Sequence, residues 1–309
     1  PMRQTFVVAA AFCGTLLSVC GSVHVEVAPE GPTTAFRHLF ETCKGDVDNT
    51  TLEVEPLGGS HGIPDWVKAT KFNNGFGKFE GPTFKLNYLF DIMAYIVKWR
   101  IDGNKVSFSN KFIKSNYYNV AQTKTPTYRT FGGVNPPMNT VQRLETLTHM
   151  VSDNLNVNVM KFGNRLVAIS DEAGEMELDQ ENLDTLGLLA FNDTLSSKLA
   201  MITCAHPSQL PGDKYIYNYL VKVMGNIKHP GEMNLWQFYR IDTSAGDTLK
   251  REVVFEMPIK NGHSPYMHSF AHTENYIVMF EFPLFWEVMK IPLSVNILPD
   301  MGWKPENGT

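Results

Sequence analysis

Cysteine is scarce, with four in 309 residues, and two of these, Cys13 and Cys20, fall within residues 1–22. The other two, Cys43 and Cys204, either pair or stay free; two thiols do not make a disulfide-dense scaffold. Basic clusters are also lacking. The net charge is −5, and Lys68, Lys71 and Lys78 are separated by apolar residues. Phosphate binding needs clustered cations, so the charge pattern argues against a nucleic-acid partner. No apolar run reaches the roughly 20 residues of a membrane-spanning helix. The sequence has no serine-hydrolase elbow, phosphate loop or dinucleotide fingerprint. Gly75-Phe76-Gly77 is too short for a phosphate cradle. There is no His-x-x-x-His, no Cys-x-x-Cys, and no short-range group of two histidines with a carboxylate.

Apolar residues are 43% of the chain and charged residues 19%, enough for a buried core. Arg3, the apolar run Phe6 to Val19 and the small residues of Cys20-Gly21-Ser22 have the order of an export signal over residues 1–22. A secreted or secretory-lumen protein is therefore expected. Three Asn-x-Thr triplets, at Asn49, Asn192 and Asn307, are compatible with this.

Beyond the signal, Thr33 to Lys44 reads as a short helix ended by Gly45. From Gly62 onward, hairpins dominate. Asp102-Gly103-Asn104 separates Trp99-Arg100-Ile101 from Lys105 to Phe108, and Gly163-Asn164 separates Val157–Phe162 from Arg165–Ser170. Tyr215 to Val223 reads as a strand. Gln237–Asp242 and Glu252–Met257 flank a Ser-Ala-Gly-Asp turn, and Tyr276–Phe282 reads as an aromatic strand. Val141 to Val151 has helical periodicity. Hairpins without alternating helices exclude a parallel α/β sheet. They leave a sandwich, a barrel or a propeller, in an all-β chain. Lys304 to Thr309 reads as a turn before a further strand, so an incomplete domain is expected over residues 23–309.

Two of the nine histidines stand out, each after a turn-like stretch beside an apolar run: His206 in Thr203-Cys204-Ala205-His206-Pro207, and His268 in Tyr266-Met267-His268-Ser269-Phe270. A metal-bound imidazole needs rigid backbone and a partner that fixes its tautomer. Spacing alone does not make these two a site, because they lie 62 positions apart. Cys204, two residues before His206, would share its face on a strand, which raises a Cys/His zinc pair as an alternative.

Several segments, in order, resemble the carotenoid cleavage oxygenase family. They are Ile63 to Lys68, Asn74 to Glu80, Leu89-Phe90-Asp91, Lys98 to Ile101, and the asparagine-rich Asp153 to Val159. Ala168 to Asp171, Leu183 to Gly187, Thr203 to Pro207, and Tyr266 to Val278 follow. The resemblance implies a partial seven-bladed β-propeller with one Fe(2+) per complete chain, held by four histidines and steadied by glutamates. It places the first two ligands at His206 and His268, and leaves the other two beyond Thr309. The position of one steadying glutamate is Asp171 here, shorter by one methylene, roughly 1.5 Å. Neighbouring Glu172 would face the opposite side if the segment were a strand. Ile92, Val97, Asn73 and Phe76 also depart from the family pattern. The implied activity is oxidative cleavage of a conjugated C=C in a carotenoid or apocarotenoid. Its partners would be a hydrophobic polyene and O2, with peripheral membrane contact for substrate uptake. The alternative is a secreted propeller module, or a truncated pseudoenzyme, that holds a carotenoid or retinoid without cleaving it.

Overall fold

A computed structural model describes residues 45–52, 62–86, 88–128, 139–145, 152–195, 200–222, 234–246, 248–259, 264–286, 298 and 301–305. The expected export signal, the helix at Thr33–Lys44 and Cys43 lie outside these residues. No described helix is long and apolar enough to cross a membrane.

The hairpin turns organise everything that follows. Gly103 (φ 54°) and Gly163 (φ 63°) take the left-handed conformation that two tight turns demand. Each joins two strands in unbroken antiparallel register: β3 (Met93–Asp102) with β4 (Lys105–Phe112), and β5 (Asn158–Phe162) with β6 (Arg165–Ile169). β1 (Val47–Leu52) and β2 (Lys68–Lys78) complete the first sheet, in the order β1-β4-β3-β2. β7 (Glu175–Leu178) and β8 (Thr185–Leu188) complete the second. The third is a meander of β9 (Ala200–Thr203), β10 (Tyr215–Lys222), β11 (Leu235–Asp242) and β12 (Arg251–Pro258). Then come a three-stranded sheet, with β13 (Ser264–Pro265) beside β16 (Leu284–Trp286) and β17 (Met301–Trp303), and a two-stranded one of β14 (Ala271–His272) and β15 (Ile277–Val278).

The period-2 alternation of strands explains how the sheets stack. On β3, Tyr95 and Val97 pack into a core with Phe108 and Phe112, while Ala94 and Ile96 meet Leu166, Ala168 and Met176 of the second sheet. On β6, Val167 and Ile169 turn the other way, onto Ile216, Leu220 and Tyr239 of the third sheet. On β10 and β11, Tyr219, Val221, Trp236 and Phe238 complete the series against Met267 and Trp286. Each central strand thus serves two interfaces, and consecutive sheets lie face to face. That is the layering of propeller blades, and the described sheets do not close a ring.

The structure differs from the sequence expectation at two places. Tyr276–Phe282 is not one strand; only Ile277–Val278 pair, and Phe280 and Phe282 are exposed. The helix begun at Val141 spans Thr140–Glu145, and the rest of that stretch lies outside the described residues.

A buried ionic group lies between the second and third sheets. Arg251 grips Asp193 through Nη2 at 2.9 Å and Nε at 3.1 Å. Glu175 is buried in the same region; burial and the Asp193 charge raise its carboxyl to about 7, against the opposing pull of Arg251. In the folded chain this group keeps its proton well above its ordinary value of 4.5. Its contribution to stability is therefore full below about pH 4.5 and is lost as pH rises through about 7. A thermal or urea series on wild type and Glu175→Gln should show wild type losing up to about 3 kcal/mol relative to the variant between pH 5 and 8. Parallel curves would contradict the assignment.

Candidate functional site

His206 and His268 occupy equivalent positions, each three residues beyond the end of a short strand, β9 and β13 respectively. The two segments run side by side, with a parallel bridge between His206 and Ser269. This brings the imidazoles together: Nε2 to Nε2 is 2.9 Å, and the rings cross at 75° with centroids 4.5 Å apart. Residues 62 positions apart in sequence thus share one point in space.

Asp171 fixes the geometry. Its Oδ2 accepts from His268 Nδ1 at 2.8 Å and from the Tyr266 hydroxyl at 2.7 Å, and its Oδ1 accepts from the Ala205 N–H at 3.0 Å. Its main-chain carbonyl also accepts from the Thr203 N–H at 2.9 Å. The carboxylate, although shorter than a glutamate, reaches His268 directly, and the backbone N–H groups of Thr203 and Ala205 hold residue 171 in place beside it. The hydrogen bond to Asp171 raises the His268 pKa above the ordinary imidazole value. For His206, burial lowers it, and the neighbouring His268 adds to the effect. Burial and Asp171 push the Tyr266 phenol up, so it remains a donor.

The backbone carrying His268 is clamped from below. Tyr219 donates to the Met267 carbonyl, and the Cys204 thiol donates to the His268 carbonyl at 3.0 Å. Cys204 Sγ also accepts from the His206 N–H at 3.2 Å. Burial raises this thiol to about 12. It is a packed structural group lying beyond the end of β9, free of any disulfide, so the Cys/His zinc pair allowed by sequence spacing is not what its placement favours. On the other side, Asn158 donates to the Ala205 carbonyl at 2.8 Å and lies 3.5 Å from His206 Nδ1.

The paired nitrogens fit a metal ion. Two imidazole nitrogens at about 2.1 Å from one ion and at right angles to each other lie about 3.0 Å apart, close to the 2.9 Å seen here. Asp171 on Nδ1 leaves the His268 Nε2 lone pair free to point at an ion. No group of three or more His, Cys, Asp or Glu able to hold a metal occurs among the described residues.

A cavity of about 490 Å³ opens beside the pair, in the size range of small-molecule sites. Phe90, Val157, Leu284, Leu298 and Met301 give it an apolar wall, and His268, Tyr266 and Asp171 form part of its polar lining. Glu172 lines it too. The segment is not a strand there: β6 ends at Ile169, so strand alternation does not set the direction of Glu172 relative to Asp171.

Sequence reasoning assigned no role to Tyr266 or Asn158, and it set Glu172 aside. Tyr266 was signalled by its place two residues before His268, on one face of an extended segment, and Asn158 by the Asn-x-Asn-x-Asn alternation. Of the other histidines, His272 pairs with the Ser208 hydroxyl at 2.7 Å and packs on the Tyr217 ring. His24, His38, His61, His149, His229 and His263 lie outside the described residues.

Comparison with known proteins agrees with this layout. The family model described as RPE65, retinal pigment epithelial membrane protein, matches residues 40–309. The chain is 27% identical over 262 residues to a chloroplastic carotenoid cleavage dioxygenase 8 of Arabidopsis thaliana, covering 80% of this chain and 43% of that protein. It is 28% identical over 290 residues to a carotenoid isomerooxygenase of Galleria mellonella, covering 88% and 55%. The solved structure of cobalt-substituted Synechocystis ACO superposes with a TM-score of 0.68 at 19% identity, covering 86% of this chain and 53% of that one. The chain spans about half the length of the relatives it matches, and its fold is that of part of a β-propeller.

The tautomer of His268 is open to direct measurement. In ¹⁵N-resolved NMR its Nδ1 proton is expected far downfield and slow to exchange, and Asp171→Ala should remove that signal. Persistence of the signal in the variant would show that some other group orients the ring.

Proposed function

The chain belongs to the RPE65 family of carotenoid oxygenases, and on that premise we propose that it forms part of a non-haem Fe(II) dioxygenase cleaving a conjugated C=C of a carotenoid or apocarotenoid. The observation that supports this most is the pair of Nε2 atoms 2.9 Å apart, with Asp171 on the far nitrogen of one ring. His206 and His268 are the residues that would hold iron, and bound Fe(II) would supply the activation of O2. One O2 is consumed per bond, and each of the two carbonyls formed takes one of its atoms.

The chain's own residues do the rest. The two imidazoles offer neutral nitrogen donors, and Asp171 keeps the His268 proton on Nδ1. Tyr266 holds Asp171 from the second side and is wedged against the Trp286 ring. The apolar wall of the cavity takes the polyene and keeps water from it. Membrane contact during substrate uptake and passage through the secretory pathway belong to the same proposal. The apolar run at Phe6–Val19 supports the second of these.

The test uses the protein that carries this chain, loaded with Fe(II) and given an apocarotenoid and O2. Two carbonyl products per O2 consumed are expected. His206→Ala or His268→Ala should each lower bound iron and reduce turnover by at least about 100-fold. Tight polyene binding without O2 uptake would favour the non-cleaving binding module. Full turnover by His268→Ala would refute the ligand assignment.

A further inference from the structure

The polar groups lining the cavity are nearly all committed elsewhere. Asn154 donates to the Ile92 carbonyl at 2.9 Å and accepts from the Ala94 N–H at 2.9 Å. Asn156 spends its amide on the carbonyls of Phe90 and Ile92, at 2.9 and 2.8 Å. Asp171 is taken by Ala205, His268 and Tyr266. The exception is Glu172. Its own N–H donates to the Ser170 hydroxyl at 3.0 Å, and the backbone is pinned by a bridge to Ile202. Its carboxyl has one side-chain partner among the described residues, the hydroxyl of Ser152, which also lines the cavity.

Among the described residues no Lys or Arg lines this space, and the neighbouring charges are acidic: Asp91, Asp153 and Asp171. Burial and these three carboxylates hold the Glu172 carboxyl well above the usual carboxylate range. A neutral carboxyl both donates and accepts one strong hydrogen bond. Placed in an apolar wall, it is costly when unpaired, so a ligand that pairs with it gains over one that does not.

We infer that Glu172, backed by Ser152, anchors the oxygen of an oxygenated polyene end, so that the cavity selects an alcohol- or carbonyl-terminated apocarotenoid over a hydrocarbon carotene. The inference rests on the polyene reading of the cavity and goes beyond it by assigning the specificity to one side chain. A terminal hydroxyl would donate to the carboxyl carbonyl oxygen and accept from its O–H; a terminal carbonyl would accept from the O–H. A terminal methyl can do neither and would leave the carboxyl with Ser152 alone.

The test is equilibrium binding, followed by quenching of intrinsic tryptophan fluorescence. It uses an apocarotenol and the hydrocarbon of the same length that ends in a methyl group. Wild type should prefer the alcohol by about tenfold or more. Glu172→Gln keeps a donor and an acceptor, and should retain the preference within about threefold. Glu172→Met, matched in volume, should bring the two affinities together by weakening the alcohol alone. The wild-type comparison needs no mutation and decides the matter even if Glu172→Met does not fold. Equal wild-type affinities, or a preference surviving in Glu172→Met, would overturn the anchor while leaving polyene binding intact. Binding of neither probe would overturn the polyene reading itself, and the anchor with it.

Discussion

One carboxylate holds this site together. Asp171 sits just beyond the second sheet, yet its partners belong to the segments that follow β9 and β13. An ionised acceptor in a partly buried position makes shorter and stronger hydrogen bonds than a neutral one. Here it receives three at once, and its side chain is only 12% exposed. The His268 imidazole is 45% exposed, and its carboxylate partner is Asp171. Without Asp171, that ring would keep only its contacts with His206 Nε2 at 2.9 Å and the Tyr266 hydroxyl at 3.2 Å, and nothing ionic would hold its far nitrogen.

The same logic extends along the inner edges of the sheets. Backbone leaving a short strand loses its ladder partners, and buried peptide groups must find others. Asparagine supplies them, because its amide presents the same donor and acceptor as a peptide group. Asn154 and Asn156 tie the second sheet to residues 90–94 of the first, Asn158 ties it to Ala205, and Asn218 holds the Cys204 carbonyl at 3.1 Å. Asn74 returns the tie from β2 to the carbonyls of Leu155 and Asn158. The asparagine-rich stretch is thus a set of seams between blades, and through Asn158 it steadies the irregular segment on which His206 sits.

Much of the fold was legible in the sequence. The turns at Gly103 and Gly163 announced their hairpins, and the strand begun at Lys105 runs on to Phe112. The face-to-face stacking was not legible, because β3 and β10 bury both faces and a continuous apolar run does not say which neighbour lies on which side. His206 and His268 were single histidines as far as local spacing went; only the ordered family resemblance joined them, and the equivalent offset from β9 and β13 is visible only once those strands are placed. Strand alternation did not apply to Glu172, because β6 ends at Ile169 and a bend follows at Asp171. The one-methylene shortfall of Asp171 said nothing about where its backbone lies, and the carboxylate meets His268 at 2.8 Å.

The most direct measurement is X-ray absorption and anomalous diffraction on the protein loaded with Co(II) or Fe(II). The account predicts one ion with the Nε2 atoms of both His206 and His268 at about 2.1 Å, and Asp171 still on His268 Nδ1. An ion bound through only one of these imidazoles, or bound elsewhere while the pair keeps its mutual hydrogen bond, would contradict it.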